Sequence, residues 1–162
     1  MDKLTSRMLA VARFAHAYWF FGNLYEAVVR TPDTVIDNSS VTGLKPGSPV
    51  RYYLPAIPAV AATTVAGAAL GWRRGGSRPA LATAVGCLAA SGALSAYLIR
   101  SVNLPMLSGE GVPEPAERDA MLRTWYRLNA VRLVCIGGGW LALRRAARHT
   151  ARSDRSGARS VA

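Results

Sequence analysis

The chain has 162 residues, 51% of them apolar and 18% charged, and its 20 Lys and Arg against 9 Asp and Glu set a net charge of +11. So much apolar sequence excludes a disordered polycation, and the length suits one domain. The basic residues sit in clumps between uncharged runs rather than along an amphipathic face, which argues against nucleic acid as the partner and for a lipid bilayer.

The first expected span covers about residues 5–30. Residues 8–29 are apolar apart from Arg13, His16, Asn23 and Glu26. Lys3 and Arg7 ahead of that run would suit a signal peptide. Arg13 and His16 interrupt it, however, and no clean small-x-small cleavage site follows, so a retained helix is expected. The second and third spans, about 51–73 and 78–102, decide the class. Residues 52–72 and 79–99 are each 21 residues without a charge, enough to cross a ~30 Å hydrocarbon core at ~1.5 Å per residue. Neither shows a polar face, which counts against a soluble bundle. The fourth span covers about 117–148 and carries Arg127, Asn129 and Arg132 within residues 123–143. Residues 1–150 form the membrane domain, and 151–162 are expected to be a basic, disordered tail.

Charge sets the orientation. Lys3 and Arg7 precede the first span, Arg73, Arg74 and Arg78 fill the short second loop, and Arg144, Arg145, Arg148, Arg152, Arg155 and Arg159 follow the fourth. The first and third loops hold Asp33, Asp37, Glu110 and Glu114 with Lys45 as their only basic residue. Both termini are therefore expected in the cytoplasm. The predicted fold is all-α: a multi-pass, up-down-up-down four-helix transmembrane bundle of the plasma or inner membrane. Pro- and Gly-rich outer loops are expected to make turns over its mouth.

Small residues at four-residue spacing, Gly67 and Gly71, then Ala82, Gly86 and Ala90, suit close helix approach in lipid. Gly137, Gly138 and Gly139 mark a further approach or a bend in the fourth helix.

The candidate chemistry lies in the outer halves of the helices. His16, Asn23 and Glu26 share one face of the first helix; Trp125, Asn129 and Arg132 share one face of the fourth. Tyr126, Tyr52, Tyr53, Ser95, Tyr97, Arg100 and Asn103 lie at a similar depth. Two readings stay open: a functional polar pocket facing away from the cytoplasm, or a Glu26–Arg132 or Glu26–Arg127 pair that only fixes helix register. His16 is either a haem or metal ligand or a hydrogen-bonded structural residue. Cys87 and Cys135 stand apart, with no C-x-x-C, so a dithiol redox enzyme is disfavoured. No phosphate loop, zinc motif or triad is present.

Trp125-Tyr126-Arg127-Leu128-Asn129-Ala130-Val131-Arg132, following Asn103-Leu104-Pro105 at the end of the third helix, resembles the anthrone oxygenase-like family of small four-helix membrane proteins. The likeness covers about residues 8–148 in architecture and two short motifs in sequence. Phe21-Gly22-Asn23-Leu24-Tyr25-Glu26-Ala27 takes the place of the family's first-helix motif, with Glu26 departing from its commoner form. The resemblance implies oxidation of a hydrophobic, anthrone-like aromatic by molecular oxygen, with no cofactor firmly implied. Glu26 would be the base. Arg132, Asn129 and Asn23 would hold the developing oxyanion, and Trp125 and Tyr126 would stack on the rings, with Asn103 and Tyr97 completing the substrate site. The alternatives are a non-catalytic subunit or small-molecule binder, a haem- or metal-dependent redox protein using His16, and a transporter component. The last would have to form a homo-oligomer.

Overall fold

The structure, a computed structural model, describes residues 3–37, 49–104 and 114–159. Among these residues it is wholly helical, with no strand. The helices are α1 (Lys3–Val28), α2 (Thr31–Asp37), α3 (Pro49–Arg73), α4 (Arg78–Leu98) and α5 (Pro115–Arg159), with a π-helical turn, Ile99–Asn103, continuing α4. Two stretches among them are long and apolar enough to cross a membrane, Arg51–Arg73 and Arg78–Asn103. The Pro- and Gly-rich loop stretches 38–48 and 105–113, including Pro105, lie outside the described residues.

The four long helices pack in the cyclic order α1, α3, α4, α5. Each neighbour runs antiparallel to the last. Gly67 of α3 lies against Leu9 of α1, whereas Tyr52 reaches Tyr18 near the other end. On α4 and α5, Cys87 meets Gly138 while Ser95 meets Arg132. Three apolar tiers fill the axis. The first holds Leu9, Ala12, Ala68, Leu81, Ala84, Leu143 and Ala146; the second Ala15, Trp19, Val60 and Ile136; the third Leu98, Val102, Leu122 and Trp125. Large apolar side chains also point outward from every long helix. Phe14 is 73% exposed and Val134 75% exposed, and Phe21, Val65, Val85 and Leu141 also face out.

The α3–α4 connection shows how tightly the chain turns. Gly75 N–H donates to the Trp72 carbonyl (3.3 Å) and Gly76 N–H to that of Gly71 (2.9 Å). This is a Schellman closure, and it requires the left-handed φ of 70° that Gly75 adopts without a Cβ penalty.

Two stretches differ from the sequence expectation. Residues 31–37, expected within a loop, form α2: Thr31-Pro32-Asp33 places proline in a first turn, where its missing N–H is no loss, and an acid at the positive helix end. The backbone of α5 stays helical to Arg159, where a disordered tail from residue 151 is expected. Residues 140–156 contain no Gly or Pro to stop it, and Ala and Arg favour helix.

Candidate functional site

The polar cluster forms where α1, α3, α4 and α5 meet in the half of the bundle away from the termini. Asn23 on α1 is 1% exposed and spends its amide N–H on the Trp19 carbonyl one turn back (2.7 Å). Asn129 on α5 donates across the helix interface to the Asn23 carbonyl (3.2 Å). Its own Oδ1 accepts from Arg132 Nε (3.1 Å) and Nη2 (2.7 Å), and Arg132 Nη1 donates to Ser95 Oγ on α4 (3.3 Å). The spacing of three between Asn129 and Arg132 puts both side chains on one helix face and makes this fork possible. Arg132 is 7% exposed and held by neutral partners alone. Three of its five N–H groups are engaged, so two remain.

Glu26 and Tyr53 complete the cluster. Both lie within electrostatic range of Arg132 and of each other. The direct Glu26–Arg132 ion pair is not formed, and Arg127 faces outward, so the second register pair is not formed either. Asn23 Oδ1 is buried without a partner, and the Tyr53 hydroxyl is turned to the Glu26 carboxyl as its hydrogen-bonding neighbour. Leaving an atom such as Asn23 Oδ1 unsatisfied costs about 1–3 kcal/mol. Close approach of α1 and α3 sets it up. A Cβ on Gly22 would collide with Tyr52, whose hydroxyl donates to the Tyr18 carbonyl (2.9 Å) and whose ring stacks on Tyr18 with centroids 4.3 Å apart.

The remaining expected site residues divide. Trp125 shares the face of Asn129 and Arg132 but is 4% exposed, packed among Leu98, Val102 and Leu122. Its ring meets that of Tyr126 edge-on. Asn103 is half-buried in the π turn. Tyr97 is 53% exposed and faces away from the cluster. Ser95 holds Arg132, and Tyr97 lies two residues on, about 200° round the helix. Sequence spacing placed Ser95 and Tyr53 only at the right depth; cross-helix contact is what gives them roles.

His16 lies lower in the bundle, fully buried. Its Nδ1 pairs with the Ala12 carbonyl (3.0 Å), and as a carbonyl only accepts, Nδ1 carries the proton. Nε2 has no partner and faces α5, where a Cβ on Gly139 would come within 2.9 Å of it. That leaves no gap for a porphyrin face. Among the described residues, no group of three or more His, Cys, Asp or Glu gathers to hold a metal. The surroundings of His16 therefore do not fit a haem or metal ligand.

At the mouth, α2 is tied to α5. Tyr126 donates to Asp33 Oδ2 (2.5 Å), and Arg30 pairs with Asp33 Oδ1 (2.5 Å). Arg30 adopts a left-handed φ of 56°, which ends α1 and turns the chain into α2. Burial pushes the Asp33 carboxyl up, but the Tyr126 and Arg30 hydrogen bonds and the Arg30 charge outweigh it, leaving the group below its ordinary value. These residues, with Asp119, Arg123 and Arg127, line an open cavity of about 390 Å³. A second, apolar cavity of about 430 Å³ lies between α3 and α4. Neither is lined by the polar cluster.

No protein-family model, curated protein or solved structure matches this chain.

Proposed function

We propose that this chain is a multi-pass, four-helix membrane protein with both termini in the cytoplasm, and that its polar cluster binds and oxidises a hydrophobic aromatic bearing an enolisable carbonyl. The membrane reading is supported by the apolar side chains that point outward from all four long helices. In water such a surface would drive association; in lipid it is the ordinary exterior. Clumped arginines at the Gly75 turn and in the last turns of α5 support the orientation.

One observation carries the chemical reading: Asn23 Oδ1, buried and unpartnered, lies in the same cluster as the Glu26 carboxyl, with Tyr53 beside it, and an Arg132 with two N–H groups to spare. A substrate carbonyl would accept from Arg132, while Glu26, steadied by Tyr53, removes the acidic C–H proton. The enolate then reacts with oxygen. For an anthrone the balance is anthrone + O₂ → anthraquinone + H₂O: two C–H bonds are lost at one carbon, one oxygen atom becomes its carbonyl, and the other leaves as water. Molecular oxygen is the oxidant and needs no further reductant.

A second reading, a non-catalytic binder or subunit, is favoured by one fact: neither cavity described above reaches the cluster. Oxygen uptake with anthrone by detergent-purified protein separates the two. Uptake by the unmodified chain, lost in Glu26→Gln with unchanged elution and helicity, is the expected result. No uptake at any anthrone concentration, with binding still measurable, overturns the oxygenase reading in favour of the binder.

A further inference from the structure

The apolar α3–α4 cavity lies well away from the polar cluster. Val65, Ala69 and Trp72 of α3 and Leu81, Ala82 and Val85 of α4 line it, with almost no polar surface. It follows α3 for about seven residues, or ~10 Å. Its lower end meets the Gly75 turn, where Arg73 and Arg78 are both exposed and the Arg78 guanidinium stands 5.5 Å from the centre of the Trp72 ring. Arg74 adds a third positive charge to the same turn. At this end α4 begins without a side-chain cap on its N–H groups, which adds to the positive potential. An apolar trough ends, in effect, in a cationic rim.

We propose that this groove seats one acyl chain of an anionic glycerophospholipid, whose phosphate is held by Arg73 and Arg78. Charge complementarity selects this occupant. A second copy of the chain laid in the groove would bring two arginine clusters together, whereas a lipid phosphate at the cytoplasmic interface neutralises one. Trp72 fits the same depth, since its ring suits the interface between acyl chains and headgroups. The inference rests on the membrane reading above and is independent of the oxidation chemistry.

The test uses the full chain in nanodiscs of equal phosphatidylglycerol and phosphatidylcholine, followed by native mass spectrometry after release. Alkaline carbonate extraction comes first: a chain that leaves the membrane fraction overturns the membrane reading itself. For a chain that stays, one retained phosphatidylglycerol per protein is expected, with phosphatidylcholine retained at least about tenfold less. The double variant Arg73→Gln, Arg78→Gln should lose that preference. Ala69→Leu with Ala82→Leu fills the trough and leaves every charge in place, so it should also abolish retention. Equal retention of both lipids, retention unchanged in the filled variant, or a lipid-free dimer overturns the proposal. Should the filled variant fail to elute as a folded species, the lipid preference of the unmodified chain and its loss in the arginine variant still decide.

Discussion

The two ends of the bundle bury polar groups in different ways. In the half nearer the termini, His16 turns back on its own helix to Ala12, and the helices are joined by Leu, Ala and Gly contacts. In the far half, polar side chains reach across: Asn129 to α1, Arg132 to α4, Tyr126 to α2. The first arrangement holds helices together by shape, so it is indifferent to charge. The second places donors and acceptors where they face one another across the helix interfaces. The site proposed for a developing charge lies in the second half, and the packing of the first half gives that half a fixed frame.

The comparison can be broken by substitution, and stability and turnover should respond in opposite order. Leu143→Ala, in the apolar tier, should cost about 2–5 kcal/mol, the usual penalty for emptying a filled core position. Thermal unfolding in detergent measures it, and the residual folded fraction should turn over normally. Arg132→Leu should cost about 1–3 kcal/mol, because Asn129 Oδ1 loses both its donors. It should also abolish oxygen uptake; a variant that unfolds less and still turns over would remove Arg132 from the site.

Tyr126→Phe should cost about 1 kcal/mol by releasing Asp33. The pH dependence follows from the lowered Asp33 value. That carboxylate's contribution is fully present above the ordinary value of ~3.9 and disappears as pH falls through the lower native value. An acid titration of unfolding should show this loss in the unmodified chain and not in Asp33→Asn. Glu26→Gln should have the smallest effect on stability, about 1 kcal/mol or less, since the amide can still meet Tyr53 and no direct ion pair is broken. It should abolish turnover as fully as Arg132→Leu. A drop in thermal midpoint matching that of Arg132→Leu would return Glu26 to a structural role.

Much of this was legible in the sequence, and for definite reasons. The uncharged runs end at arginines, so the bounds of α3 and α4 follow from charge alone. Asn129 and Arg132 share a helix face through their spacing of three, and Asn23 lies at the same depth on the first helix, so all three were legible as members of one cluster. Tyr97 was not, because depth along a helix says nothing of direction round it. Trp125 lies on the expected face, yet the residues opposite it, Leu98 and Val102, decide that it is core. Helix α2 was hidden because Thr-Pro-Asp signals a turn and a helix start equally well. The absence of a Glu26–Arg132 contact depends on where two side chains meet across a helix interface, which no linear spacing encodes.

The π turn at Ile99–Asn103 bears on how the chain tolerates changes in length. A π turn holds one residue more than an α turn, with Leu104 N–H bonded five residues back to Ile99 O. Ser91, Ser95, Leu98 and Val102 keep one inward face into this turn, at spacings of four, three and four. The extra residue is thus taken up locally, and Ser95 keeps its place beside Arg132 while Val102 still faces Trp125. Losing one residue within this turn would restore an ordinary α-helix, whereas the same deletion in α1 or α5 would rotate every polar side chain beyond it out of the interior. Insertions and deletions in the lineage of this protein should therefore collect at this point of α4.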